Sequence, residues 1–351
     1  MGIIGGLDVH RAQITYDYID TVSGEVRRGK IRPALREDVR AWAERFGGEA
    51  DVAFALEGTT GWLYVVDELR RSGIEAHLAE PADTAAMRGP KRRAKTDGAD
   101  ARLLCNLLQA GRLPESWIPP PHVEQVRVMV RLRKALLEER SAWYQRLQAK
   151  LFHHGLPSLG ALSPEDRWTW FERVDLPPAS RQVVAVALRS IEMHTAEMAP
   201  LDAHIHWIAR RQPGCKALDR GIYGVGPLTA VCIWAELGDV RRFGSSRRAV
   251  RHTGLDITVH SSDGKRSPGH LSRQGPEVLR WALYEAAMCA ARTGSPDHAY
   301  YLDVKARQGS GRAHLSQARR IARRAYHVLL ELGEEALAPA PEPPLQHTEA
   351  A

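Results

Sequence analysis

The stretch GIIGGLDVHRAQITYDYID, residues 2–20, decides the fold of the first part of the chain. It opens with a short apolar run that ends in the acid Asp8, and its second half alternates apolar and polar residues as a strand does. The segment GEVRRGKI, residues 24–31, follows a Ser-Gly turn and can return antiparallel to that strand. The sequence therefore predicts a meander of three strands.

The next fifty residues alternate between helix and strand patterns. Helical spacing in residues 35–46 and 60–73 alternates with buried-strand patterns in residues 50–58 and 74–81, and the first of these strands ends in Glu57. Strands followed by such alternation are typical of a mixed sheet with helices packed on it, as in RNase H-like domains. A doubly wound nucleotide-binding sheet would need a Gly-rich turn between the first strand and a helix, so we rank it lower.

Length and charge limit the class of protein. A chain of 351 residues exceeds one ordinary hydrophobic core, so two domains are expected, and a net charge of +7 favours a polyanionic partner, nucleic acid first. We find no long apolar run or secretory signal and expect a soluble, cytoplasmic protein that joins the nucleoid when bound to DNA. The four cysteines are widely spaced without a CxxC pair, which argues against a zinc knuckle or a disulfide framework.

A long helical segment follows the first domain. Residues 123–154 carry apolar residues at three- and four-residue spacing with no Gly or Pro, which predicts one amphipathic helix after the prolines at 119–121. Such a helix suits a bundle core, an arm between domains or a pairing surface between subunits. Residues 158–212 also favour helix, and the histidines near both ends of this region lack a matching ligand set for a metal.

Two carboxylates directly follow a basic run in KRRAKTDGADA, residues 91–101. Asp97 and Asp100 are three residues apart at the start of a predicted helix with Thr96 as N-cap, so both lie on one helical face. Acids in a first turn commonly complement the helix dipole, which is the simpler explanation. A divalent cation between them would also relieve their repulsion and would bind phosphate beside the basic run.

Asp8 and Glu57 strengthen the second explanation. Each acid ends a predicted strand, and neighbouring strand ends of such a sheet can bring both beside one helix start. Four carboxylates can then surround one or two metal ions, magnesium or manganese, as in phosphodiester chemistry.

Several motifs occur in one order between residues 3 and 292. They are GLDVHR, LEGTTGW, KRRAKTDGADARLL, RLQAKLFHHGL, YGVGPLTAVCIWAELGDVRRFGSSRRAVRHTGL, VHSSDG and GHLSRQGPEVLR. Together they resemble the bacterial insertion-sequence transposases with a four-acid (DEDD), RuvC-like N-terminal domain and a C-terminal serine domain, relatives of the Piv-type DNA invertases. The chain departs from the family pattern at Arg11 (usually Lys), at Tyr223-Gly224 (usually Pro-Gly) and at Ser262-Asp263 (usually Ser-Gly).

The resemblance implies DNA strand cleavage and exchange. It implies that Asp8, Glu57, Asp97 and Asp100 bind magnesium and that the serine of HSSDG is a nucleophile that forms a phosphoserine link with DNA. We assign this role to Ser262, with Ser261 as its rival because of the Ser-Asp departure; both also suit a polar turn, as does the adjacent His260. The resemblance further implies a structured guide RNA from the element, donor and target DNA as partners, and assembly as homodimers or homotetramers.

Basic and glycine-rich segments are candidates for nucleic-acid contact. The segment GVGPLTA, residues 224–230, resembles the hairpin of helix-hairpin-helix modules, whose backbone N–H groups bind phosphate, although a plain Gly-Pro helix start explains it equally well. Basic clusters in separate segments favour a track for backbone phosphates. The candidates are Lys91, Arg92, Arg93, Lys95, Gly224, Gly226, Arg247, Arg248, Lys265, Arg266 and Arg273.

These interpretations give an α/β domain followed by helical parts. The expected regions are a RuvC-like catalytic domain at 1–115, a helical linker at 116–212, a mostly helical serine domain at 213–335 and a disordered tail at 336–351. A metal-dependent nuclease or Holliday-junction resolvase would use the same acids with water as nucleophile. A non-catalytic nucleic-acid-binding protein derived from a transposase would keep the acids for folding alone.

Overall fold

The computed structural model describes residues 2–47, 51–87, 96–257, 260–262, 265–267 and 269–340. The chain divides into two compact units, one that ends at Ile118 and one that begins at Pro119. The division lies close to the predicted boundary after residue 115. The region predicted as a separate linker, 116–212, falls almost entirely within the second unit.

The first unit is built on a mixed sheet with the strand order β3-β2-β1-β4-β5-β6. Its strands are β1 (Ile3–Val9), β2 (Ile14–Asp20), β3 (Val26–Ile31), β4 (Val52–Glu57), β5 (Glu75–Ala79) and β6 (Glu115–Ser116). The antiparallel pairs β1-β2 and β2-β3 confirm the predicted meander, while β4 and β5 continue the sheet in parallel with β1. This mixed α/β arrangement is compatible with the predicted RNase H-like domain. The two-residue β6 has no signal in the sequence.

The first unit also contains four α-helices: α1 (Arg36–Ala43), α2 (Trp62–Arg71), α3 (Pro81–Ala86) and α4 (Asp97–Gln109). On one face, Trp42, Phe46 and Phe54 pack edge to face in an apolar core that includes α1 and α2 residues. On the opposite face, Ala55 and Ala79 of the sheet form a separate apolar cluster with Leu104 of α4. Helix α4, which carries Leu104, therefore packs next to the small side chains Ala55 and Ala79.

Gly6 allows α4 to approach β1 closely. A Cβ atom on Gly6 would lie 2.1 Å from the carbonyl oxygen of Ala101 and 2.7 Å from the backbone nitrogen of Cys105. The thiol of Cys105 in turn lies 3.4 Å from the carbonyl oxygen of Ile4, where it can donate a weak hydrogen bond. The backbone of the helix thus rests almost directly on the backbone of the strand.

The second unit is mostly helical. Its helices are α5 (Pro121–His153), α6 (Pro164–Arg173), α7 (Pro178–Ala209), α8 (Pro213–Gly221), α9 (Pro227–Leu237), α10 (Ser246–His252), α11 (Glu277–Ala290), α12 (His298–Gln308) and α13 (Ser310–Leu332). A short hairpin of β7 (His260–Ser262) and β8 (Lys265–Ser267) interrupts them. The predicted long helix is confirmed, and it begins at Pro121 because proline suits a first helical position, where no N–H group is needed. No described helix is long and apolar enough to cross a bilayer.

The chain stays ordered beyond the predicted start of the tail. A 3₁₀ turn spans Gly333–Leu337, and Ala336 is buried. The carbonyl oxygen of Ala336 accepts hydrogen bonds from Gln212 Nε2 at 2.7 Å and from Trp234 Nε1 at 2.6 Å. The expectation of a tail from residue 336 is therefore wrong for its first residues, and residues 341–351 lie outside the described part of the chain.

We expect Gly6→Ala to destabilise the first unit by about 1–3 kcal/mol, because the added methyl group meets helix backbone that cannot move alone. Gly98→Ala, in the first turn of α4, is the control. A Cβ atom there meets nothing within 4 Å, so the change should be neutral or slightly stabilising. Urea unfolding of the full chain measures both, and equal midpoints for Gly6→Ala and the unchanged protein would contradict the packing argument.

Candidate functional site

The sheet places Asp8 and Glu57 side by side. Parallel pairing of β1 and β4 sets Leu7 opposite Leu56, so the next residue of each strand is also adjacent. Side chains alternate between the two faces of a strand. Asp8 therefore shares the face of Gly6, and Glu57 shares the face of Ala55, which is the face that α4 covers.

The first turn of α4 supplies the other two acids. Thr96 caps the helix, and its hydroxyl accepts a hydrogen bond from the Ala99 backbone N–H at 3.3 Å. Asp97 and Asp100 follow in the first turn, where the helix dipole favours negative charge. Because α4 lies on β1 at Gly6, this turn reaches the ends of β1 and β4.

All four acids line one cavity of about 930 Å³. His10 and Arg11 line it as well, together with Thr59 and Thr60 from the loop after β4. The structure thus brings together four acids that lie up to 92 positions apart in the sequence. Arg11, at the position where the resemblance leads us to expect lysine, is among the residues that line this cavity.

The carboxylates of this cavity repel one another. Burial raises the pKa of the Asp8 carboxyl, and the negative charges of Asp100 and Asp97 raise it further. His10 opposes this shift, because its Nε2 atom lies 3.1 Å from Asp8 Oδ2. A divalent cation would relieve the repulsion more completely, and several carboxylate oxygens are the donor set that magnesium and manganese prefer. The residues present therefore fit such a cation.

Gln13 orients Asp97. Its amide Nε2 donates to Asp97 Oδ2 at 2.9 Å, and its Oε1 accepts from Arg32 Nε at 2.6 Å and also contacts Arg32 Nη2. Arg32 is a donor only, so the amide oxygen of Gln13 must face it and the amide NH₂ must face Asp97. This chain of contacts holds one oxygen of Asp97 and leaves the other, Oδ1, on the side of His10.

A buried ion pair fixes α4 on the sheet close to the cavity. The Asp17 side chain on β2 is only 2% exposed, and Arg102 on α4 donates from Nε to its Oδ2 at 2.6 Å. Arg28 on β3 lies against the same oxygen, at 2.9 Å from its own Nε. Breaking a buried pair leaves an uncompensated charge, so this contact strongly favours one position of α4.

The predicted serine lies in the second unit, in the β7-β8 hairpin. The backbone register sets Ser262 opposite Lys265 and Ser261 opposite Arg266, on either side of the connection at residues 263 and 264, which are outside the described part. At the base of this loop, Arg319 of α13 donates from Nε to the carbonyl oxygen of Leu255 at 2.7 Å. The Ser272 backbone N–H donates to the Asp256 carbonyl oxygen at 2.9 Å. The hairpin therefore extends from an anchored base.

The connection between α8 and α9 contains the segment predicted as a helix-hairpin-helix element. Gly224 has a φ of +91°, and a Cβ atom there would lie 2.4 Å from the carbonyl oxygen of Ala286 on α11, so only glycine fits. The Gly226 backbone N–H donates to Thr229 Oγ1 at 2.9 Å, which satisfies one donor within the helix start itself. Phosphate binding by this hairpin stays a prediction.

The basic candidates fall into three groups. Arg247, Arg248 and Arg273 are exposed, whereas Lys91, Arg92, Arg93 and Lys95 lie outside the described residues. Of the two hairpin candidates, Lys265 and Arg266, only the backbone positions above can be given. Other cations are engaged within the fold. Arg320 and Arg324 bind buried Asp297, and Arg241 binds Asp239 at 3.0 Å.

Two models of one protein family match this chain in separate regions. The model for DEDD transposases of the IS110 type matches residues 5–154, and the model "Transposase IS116/IS110/IS902 family" matches residues 218–302. Together they span more than half of the chain, and the first contains all four acids of the cavity. The chain belongs to the IS116/IS110/IS902 family of transposases. Its activity is DNA transposition.

Similar proteins from several bacteria bear transposase names. A candidate transposase of Sinorhizobium fredii, y4rJ, is 28% identical over 77% of this chain and 73% of its own length. The "Probable family 20 transposase" of Pseudomonas aeruginosa is 25% identical over 68% of this chain and 71% of its own. The transposase of insertion sequence element IS1111A from Coxiella burnetii is 26% identical over 56% of this chain and 55% of its own length.

Sequence reasoning missed two residues of the transposase site: His10, which lines the cavity, and Gln13, which donates a hydrogen bond to Asp97. His10 follows Asp8 by two positions, and this Asp-x-His spacing at a strand end was the available signal. Gln13 gave no signal, because its contact with Asp97 joins positions 84 apart.

Replacement of Gln13 by alanine should weaken divalent-cation binding by about tenfold, because Asp97 loses the donor that orients it. Gln109→Ala, at the exposed end of α4, is the matched control and should leave binding unchanged. Isothermal titration of the full chain with Mg²⁺ or Mn²⁺ measures the difference. Equal affinity in the Gln13 variant would show that Asp97 needs no such support.

Arg319→Ala should loosen the base of the serine loop, because the Leu255 carbonyl loses its donor. Hydrogen exchange of the backbone amides in residues 255–257 and 269–275 should then rise, with the global stability only slightly changed. Arg323→Ala is the control, since this exposed arginine lies on the same helix. Identical exchange in both variants would mean that other contacts hold the loop.

Proposed function

We propose that this transposase cleaves and rejoins DNA strands through a serine nucleophile, Ser262, with the aid of a divalent cation held by its acid cavity. The observation that carries the proposal is the convergence of Asp8, Glu57, Asp97 and Asp100 on one cavity. Acids kept only for folding would have no reason to gather where they repel one another. The HSSDG motif and its resemblance to the serine motif of such transposases support the serine.

The acids would hold Mg²⁺, or Mn²⁺ in its place, at the ends of β1, β4 and α4. When bound, such a cation stabilises negative charge on phosphate oxygens during phosphodiester exchange. The protein residues keep the carboxylates oriented: Gln13 holds Asp97, and the Asp17-Arg102 pair holds the helix that carries both α4 acids.

The strand exchange conserves the phosphodiester bond. The Ser262 hydroxyl oxygen bonds to phosphorus, its proton passes to a base, and the bond between phosphorus and one deoxyribose oxygen breaks. That oxygen takes up a proton and becomes a hydroxyl end. In the second step, a deoxyribose hydroxyl of another strand attacks the phosphoserine, gives up its proton, and restores the serine. No energy source is needed, because each bond broken is replaced by one of the same kind.

Partners of the reaction are proposed from charge and from the family resemblance. Donor and target DNA would contact the exposed arginines Arg247, Arg248 and Arg273, with Lys91, Arg92, Arg93, Lys95, Lys265 and Arg266 as further candidates. Backbone phosphate contacts position DNA without reading its sequence. Target choice would then fall to a structured RNA from the element, within a homodimer or homotetramer.

Two substitutions test the nucleophile and the cavity. Ser262→Ala should abolish the covalent protein-DNA adduct, and Asp97→Asn should lower strand exchange by roughly a thousandfold or more while DNA binding persists. The assay uses supercoiled DNA with the element ends, its flanking RNA and Mg²⁺, followed by mass spectrometry of the nucleotide-bearing peptide. Ser261→Ala is the matched control and should retain the adduct.

Each other outcome points to a different protein. An adduct on Ser261 would move the nucleophile by one position. Cleaved DNA with free ends and no adduct would indicate a metal-dependent nuclease or resolvase with water as nucleophile. Unchanged behaviour of Asp97→Asn would indicate a non-catalytic binding protein.

A further inference from the structure

The cavity of the proposed metal site contains one possible ligand that is not an acid. Within the described residues, one group of three, Asp8, His10 and Asp97, offers ligand atoms that all lie within 4.8 Å of one another. His10 Nε2 lies 3.1 Å from Asp8 Oδ2 and 3.9 Å from Asp97 Oδ1. The imidazole thus lies between an acid of the strand and an acid of the helix.

These separations suit a single shared ion. Octahedral ligands about 2.1 Å from a metal lie roughly 3.0 Å apart when adjacent and roughly 4.2 Å apart when opposite. The two distances from His10 fall within or close to that range. A small rotation of the exposed His10 side chain would bring its nitrogen closer to such a geometry.

The two carboxylate oxygens of Asp97 have different neighbours, and this arrangement favours ligation by His10. Asp97 Oδ2 accepts from Gln13, so Oδ1, the atom nearer to His10, is the one directed at the imidazole. The backbone N–H of His10 donates to the Gln13 carbonyl oxygen at 3.0 Å, which ties the start of the β1-β2 connection together. His10 and Gln13 therefore act on the same carboxylate from two sides of one loop.

We propose that His10 is a third ligand of the cation held by Asp8 and Asp97, and that it shifts the preference of the site from Mg²⁺ toward Mn²⁺. This inference rests on the proposed function of the cavity and goes beyond it by naming the ligand and the class of metal. Imidazole nitrogen is a good ligand for first-row transition metals, whereas Mg²⁺ takes oxygen ligands. A site with two or more carboxylates and one histidine suits Mn²⁺.

The first experiment compares cation affinities of the full chain by calorimetry. His10→Ala should weaken Mn²⁺ binding by at least about tenfold, since loss of a direct ligand should cost no less than loss of a supporting residue. Its Mg²⁺ affinity should change by less than about twofold, because Mg²⁺ makes little use of nitrogen. His204→Ala, an exposed histidine of the second unit, is the matched control and should alter neither affinity.

The second experiment detects the ligand directly and does not depend on activity. Mn²⁺ bound to the unchanged protein should show ¹⁴N coupling from an imidazole in pulsed electron paramagnetic resonance, and the coupling should change in protein labelled with ¹⁵N-histidine. The coupling should disappear in His10→Ala at saturating Mn²⁺ and persist in His204→Ala. Bound Mn²⁺ without nitrogen coupling would overturn the proposal and would leave His10 as an ion-pair partner of Asp8.

Asp97→Asn separates failure of this inference from failure of the proposed function. If that variant loses both cations while His10→Ala binds Mn²⁺ normally, the cavity binds metal and His10 is not a ligand. If Asp97→Asn binds both cations as the unchanged protein does, the metal site itself lies elsewhere and both proposals fall.

Discussion

The close packing of α4 on β1 is the contact on which the candidate site depends. Gly6 lets the helix backbone approach the strand, and the buried pair of Asp17 and Arg102 fixes the helix at that distance. The first turn of α4 then reaches the carboxyl ends of β1 and β4, where Asp8 and Glu57 lie. A larger side chain in place of Gly6 would push the helix outward and carry Asp97 and Asp100 away from the other two acids.

A cavity that gathers four carboxylates is unfavourable unless other groups compensate. Burial and neighbouring charges raise the pKa of Asp8, and His10 contacts that carboxylate and opposes the shift. Gln13 donates a hydrogen bond to Asp97 and in turn accepts one from Arg32. These neighbours do not fill the cavity, so it keeps the capacity to bind a cation. The remaining repulsion lowers the stability of the fold, and a divalent ion bound in the cavity would offset it.

The positive charge of the transposase has two different uses. Arg320 and Arg324 bind the buried carboxylate of Asp297, and Arg319 supports the base of the serine loop through a backbone carbonyl. These cations build the second unit. Arg247, Arg248 and Arg273 are exposed and can meet a phosphate backbone. A net charge of +7 therefore indicates the class of partner but does not say which cationic side chains bind it.

Local sequence determined the helices and strands of this protein, whereas contacts between distant segments determined the geometry of its candidate site. The meander, the long helix from Pro121 and the Thr96 cap follow from periodicity, proline chemistry and capping, which act over a few residues. The order of motifs identified the four acids as a set, and their placement at strand and helix ends made their convergence predictable. The roles of His10 and Gln13, the internal use of the α13 arginines and the burial of Ala336 depend on contacts between distant segments. A single sequence does not contain such distances, because pairing register and helix packing set them only once the chain has folded.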